Sequence, residues 1–88
     1  MKIKSLGSNK TELELKDLRL LVSYSTPVAL IRIKPEYLGQ KPALKTSQFH
    51  SVTTSKHINQ WLTENGKDPK MTPCQDQSFF DTFLDDNT

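Results

Sequence analysis

The sequence predicts an α+β fold: a small antiparallel sheet of three to four strands packed against one helix, with a short C-terminal helix. Three observations carry this expectation. Residues 11–34 carry strand patterns: polar–apolar alternation with period two at 11–16, a two-faced run at 18–24 and a run rich in β-branched residues at 28–34, broken at Asp17 and at Ser25-Thr26-Pro27. Ile58, Trp61 and Leu62 then fall at i, i+3 and i+4, the spacing of one apolar helix face. Beyond Pro69 and Pro73, Phe79, Phe80, Phe83 and Leu84 repeat that helical spacing.

In chain order, Ile3 and Leu6 precede a turn signal, Gly7-Ser8-Asn9-Lys10, and Thr11–Lys16 reads as a half-buried strand. Leu18–Tyr24 puts Leu18, Leu20, Val22 and Tyr24 on one face and Arg19, Leu21 and Ser23 on the other. Leu21 makes the second face partly apolar, which suits a strand at the sheet centre. Pro27 fixes its own φ and biases Thr26 to an extended conformation, so Leu18–Tyr24 and Val28–Lys34 pair as an antiparallel hairpin. Pro35, Gly39 and Pro42 make residues 35–43 a loop, from which Tyr37 and Leu38 can fold back on a sheet edge. Leu44–Ser51 is a weaker strand anchored by Phe49. The helix follows, with a hydroxyl of Thr53 or Thr54 capping its free amides and Asn65-Gly66 ending it. Residues 1–66 thus form a sheet-plus-helix domain, and residues 67–88 a linker and a short acidic amphipathic helix.

Composition narrows the class. Eighty-eight residues allow one domain, and at 34% hydrophobic its core is thin. Net charge is only +2, but residues 1–45 carry nine Lys/Arg against four acids, and residues 46–88 carry three against six. The chain is basic at the front and acidic at the back. A lone cysteine, Cys74, rules out an intramolecular disulfide and makes the reducing cytoplasm the expected compartment. No stretch approaches the roughly 20 apolar residues of a membrane span, and no signal-peptide pattern opens the sequence.

The densest polar cluster is Ser51–Leu62, where strand pattern gives way to helix pattern. Hydroxyls at a helix start with Lys56 beside them suit an anion, while simple capping needs only one of them. His50 and His57 lack a third ligand at metal-site spacing, and His57 has no evident nucleophile or orienting carboxylate for acid–base work. Cys74 reads as a structural thiol. Lys16, Arg19, Arg32, Lys34 and Lys45 lie on or beside strands, where they form either a basic nucleic-acid face or a solvated surface with edge lysines. The Phe79-Phe80-Phe83-Leu84 stripe either docks in a partner's groove, covers the protein's own sheet, or is buried in a homodimer.

Two segments, Ser23-Tyr24-Ser25-Thr26-Pro27-Val28-Ala29 and Ser51-Val52-Thr53-Thr54-Ser55-Lys56-His57-Ile58-Asn59, resemble a family of small proteins of bacteriophages and other mobile elements. The likeness spans residues 20–62. It implies a phage or prophage accessory protein, a setting that favours nucleic-acid handling or inhibition of a host defence system.

The expected function is therefore non-enzymatic: a phage-type accessory protein that binds and inhibits a host or defence protein, in the manner of anti-CRISPR proteins. Phe79, Phe80, Phe83, Asp81 and Asp85 are the expected partner contacts. The alternative is a small nucleic-acid-binding module using Arg19, Arg32 and Lys34, with Ser55, Lys56 and His57 as anion contacts. Neither reading calls for a metal or a cofactor.

Overall fold

Alternation along the first half of the chain builds strands whose two faces both find cover. The computed structural model describes residues 2–7, 9–33 and 42–85; Lys34, Tyr37 and Leu38 lie outside the described residues. Its strands are β1 (Lys2–Gly7), β2 (Lys10–Glu14), β3 (Leu18–Ser23), β4 (Thr26–Arg32), β5 (Ala43–Thr46) and β6 (Cys74–Gln75), and its helices α1 (Val52–Glu64) and α2 (Gln77–Asp85). The strands lie side by side in sequence order. β1 to β5 form an antiparallel meander, and β6 adds in parallel to β5 after the chain has passed through α1. The fold is α+β as expected, but the sheet is six-stranded and mixed rather than three- to four-stranded and antiparallel.

Each face of the sheet carries one helix. Under α1, Ile58, Trp61 and Leu62 pack on Leu21, Val28, Ala29, Ile31 and Ala43. On the opposite face, Phe80 of α2 sits among Leu13, Leu18, Leu20, Val22, Leu30 and Leu44. A bulge accounts for the neighbours Val28 and Ala29 sharing a face: Leu21 opposes Ala29 and Val22 opposes Pro27, leaving Val28 as the extra residue. The boundary expected at Gly66 does not separate two packing units. The segment beyond it supplies β6 to the sheet and Phe80 to the core.

The helix ends are specified locally. Ser51, in an extended conformation, is the N-cap of α1, and its Oγ accepts the Thr54 amide at 3.0 Å. The cap expected at Thr53 or Thr54 thus falls two or three residues upstream, since Val52 is already helical. At the other end Asn65 and Gly66 close the helix as expected. Gly66 takes φ +76°, its amide bonds the Thr63 carbonyl at 3.1 Å, and Lys67 N–H bonds the Leu62 carbonyl at 2.8 Å. Among the described residues no helix is long and apolar enough to cross a membrane.

Candidate functional site

Where the β3–β4 turn meets the start of α1, the two segments singled out in the sequence come together around one open cleft. Its volume is about 370 Å³, and Ser23, Tyr24 and Thr26 form one wall while His50, Ser51 and Thr53 form the other. Tyr24 adopts φ +58°, a left-handed conformation that costs an ordinary L-residue about 1–2 kcal/mol. Its amide is held there by the Asn9 carbonyl at 2.7 Å. Tyr24 is 52% exposed, and its ring centroid lies 6.2 Å from that of the His57 imidazole.

Behind the cleft runs a chain of hydroxyls. Ser51 Oγ donates to Thr54 Oγ1 at 3.2 Å, Thr54 Oγ1 lies 3.0 Å from Ser23 Oγ, and Ser23 Oγ lies 2.9 Å from His57 Nδ1. With His57 neutral, every hydroxyl in this chain donates once: Ser51 to Thr54, Thr54 to Ser23, and Ser23 to the imidazole. The environment favours that state. Desolvation first, and the positive charge of Lys10 second, lower the His57 pKa below its ordinary value. Lys10 is itself anchored on α1, donating to Gln60 Oε1 at 3.2 Å.

Gln77, the first residue of α2, fastens the other wall. Its carbonyl oxygen accepts from Thr46 Oγ1 and from His50 Nε2, both at 2.8 Å. Its amide donates to the Pro27 carbonyl at 2.7 Å and to Asp81 Oδ1 at 3.0 Å. This pattern fixes the His50 proton on Nε2. A serine beside a histidine invites a nucleophilic reading, but Ser23 is 2% exposed and its oxygen lies between Thr54 and His57. The arrangement holds the serine away from solvent.

The expected site residues fall in several places. His57 joins the hydroxyl chain. Lys56 is exposed, and Ser55 lines a separate depression on the other flank of α1 with Phe49 and Asn59. Arg19 and Arg32 do not share a face: Arg19 opposes Ile31 on the α1 side, and Arg32 opposes Leu18 on the α2 side. Arg19 also reaches Glu12 at 3.8 Å. With a helix over each face, the two arginines form no open basic platform. Phe80 is fully buried, so its role is core and not partner contact. Phe79 and Phe83 are half-buried against that same core, each edge-on in its stacking with a neighbouring ring. Asp81 is exposed and accepts from Gln77, and Asp85 closes α2.

Ser23, Ser51 and Gln77 are the residues that sequence reasoning passed over as site components. The first two stood inside the singled-out segments without a spacing rule to join them, and Gln77 carried no signal. Among the described residues, no group of three or more His, Cys, Asp or Glu is placed to hold a metal ion.

Fold and cleft together define a small α+β domain with a mixed sheet, one helix on each face and a polar cleft where the β3–β4 turn meets α1. The chain belongs to a family of unknown function (DUF8033), and the match covers residues 1–81, taking in both helix-covered faces and Phe80. No curated protein and no solved structure matches the chain.

Proposed function

We propose that this is a non-enzymatic accessory protein of the bacteriophage type, which binds a host or defence protein in the host cytoplasm and inhibits it. The cleft between the β3–β4 turn and α1 is the contact surface. The observation that carries this reading is Tyr24. A bulky aromatic held at positive φ with half its surface in water is an unfavourable choice for folding alone, and such strain concentrates at functional positions. Tyrosine is also enriched where proteins bind one another. Val52, 64% exposed, adds apolar surface next in sequence to Ser51 of the cleft wall, and Phe49, 71% exposed, extends apolar surface into the neighbouring depression on the other flank of α1. Apolar side chains around fixed hydroxyls match the anatomy of a protein interface, in which a few aromatic anchors supply most of the affinity.

The test is affinity capture from a bacterial host lysate, comparing the native chain with Tyr24→Gly and with Phe49→Ser/Val52→Ser. Both variants should melt at or above the native temperature, because Gly relieves the left-handed strain and the other two side chains are exposed. The expected result is one stoichiometric protein retained by the native chain and lost with each variant. Retention by both variants would remove the cleft from the interface. Oligonucleotide binding with a steep salt dependence would transfer the reading to nucleic acid.

A further inference from the structure

At one margin of the sheet, β1 has β2 on its inner side, and among the described residues nothing pairs with its outer edge. The phase of the ladder shows what that edge offers. Leu15 N–H bonds the Leu18 carbonyl at 2.8 Å and Tyr24 N–H bonds the Asn9 carbonyl at 2.7 Å, so odd-numbered residues along β2 direct their main-chain groups to β3. Glu12 and Glu14 therefore direct theirs to β1, where they meet Lys4 and Lys2. Ile3 and Ser5 are left with N–H and C=O pointing outward.

The side chains on this edge continue two ordered rows. On the α1 side, Lys2, Glu14 and Arg19 follow one another across β1, β2 and β3, and Lys4 faces Glu12 in the next row. The charges alternate in sign from strand to strand, with Lys2 and Lys4 as the outermost members. On the α2 side, Ile3, Leu13, Leu20, Leu30 and Leu44 make an unbroken apolar row across five strands. That row ends in Ile3, which is 69% exposed. One more strand carrying acid, apolar and acid opposite Lys4, Ile3 and Lys2 would extend both rows. Glu12-Leu13-Glu14 already makes that match from the inner side.

We infer that the outer edge of β1 accepts an antiparallel strand from a partner protein, and that the strand carries an acidic–apolar–acidic triplet. A second copy of β1 is the wrong occupant. Centring two copies on Ile3 or Lys4 sets lysine against lysine, and centring them on Ser5 meets the irregular step between Ser5 and Gly7. Strand addition of this kind takes affinity from the main chain and selectivity from the alternate side chains.

The probe is the peptide Thr-Glu-Leu-Glu-Leu, blocked at both ends, titrated into the full chain while amide shifts and amide exchange are followed by NMR. Thr-Lys-Leu-Lys-Leu is the control. The glutamate peptide should shift and protect amides of residues 2–7, Ile3 and Ser5 most, and bind about tenfold more tightly than the lysine peptide. Lys2→Gln with Lys4→Gln should erase that preference. Ser5→Pro should abolish binding by removing an outward amide that β2 does not use. Equal binding of the two peptides, shifts centred away from β1, or no shift up to the solubility limit would overturn the inference.

Discussion

Trp61 on α1 donates its indole N–H to Glu12 on β2 at 2.8 Å, and that carboxylate also lies 3.8 Å from the Arg19 guanidinium. One carboxylate thereby joins the C-terminal turn of α1 to the second and third strands. Glu12→Gln keeps an acceptor for the indole, whereas Glu12→Ala leaves a buried N–H without one. Glu12→Ala should therefore destabilise the fold by about 1–3 kcal/mol in urea unfolding, and Glu12→Gln by clearly less.

Phe80 is the fully buried aromatic side chain on the second face of the sheet, with Phe79 and Phe83 half-buried against the same core. Phe80→Ala should cost about 3–5 kcal/mol, because the sheet beneath has no means of closing the cavity. A chain ending at Gly66 loses Phe80 and β6 together. It should show no cooperative thermal transition by circular dichroism.

His57 links stability to pH with a defined sign. Its folded-state pKa lies below the ordinary 6.5, so the folded state binds this proton less readily than the unfolded chain does. The stability tied to neutral His57 is fully present above pH 6.5 and declines as pH falls from there towards the folded-state value. Protonation would also turn the Ser23 contact round, making Nδ1 the donor and leaving the Ser23 proton without the imidazole as its acceptor. Melting temperatures of the native chain and His57→Gln, compared between pH 7.5 and 5, should diverge. The native chain should lose more on acidification.

Gln77 ties α2 to β5, to the loop before α1 and to β4 through its single amide group. Gln77→Ala should cost about 1–3 kcal/mol and release His50, which NMR would read as faster exchange of the Nε2 proton. Gln77→Glu retains the acceptors, loses the donor to Pro27, and places a second carboxylate near Asp81. Urea unfolding at neutral pH should find it less stable than the native chain, from the lost donor and the repulsion between the two carboxylates.

Elements with a strong period were legible in the sequence. The pairing of β3 with β4 and the Ile58, Trp61, Leu62 face are as the pattern predicts, and Asn65-Gly66 closes the helix as Gly chemistry dictates. The hairpin, however, turns at Tyr24-Ser25 and not at Ser25-Thr26-Pro27, because Thr26 and Pro27 already pair with Ser23 and Val22. β1 was read only as residues leading into a turn, because its side chains are mostly exposed and Ile3 lacks a burial signal. β6 is two exposed residues long, recruited by main-chain pairing that leaves no compositional trace. The cleft was half legible. Its residues lay in two noted segments, but the bond between Ser23 and His57 spans 34 positions and depends on where α1 crosses β3. The basic face failed for a reason of parity: Arg19 and the partner of Arg32 are consecutive on β3, so their side chains leave on opposite sides.

The strand order has a consequence for how the molecule is made. Neighbouring strands of the meander are neighbours in the chain, so their contacts close over short loops and can form early. The leucines of the second face have no such local partner. They stay wet until α2 arrives, and a chain paused before that point would carry a finished sheet with one bare oily side. The species most exposed to aggregation, proteolysis and chaperone capture is therefore this nearly complete intermediate, and Phe80 is the residue that ends its vulnerability.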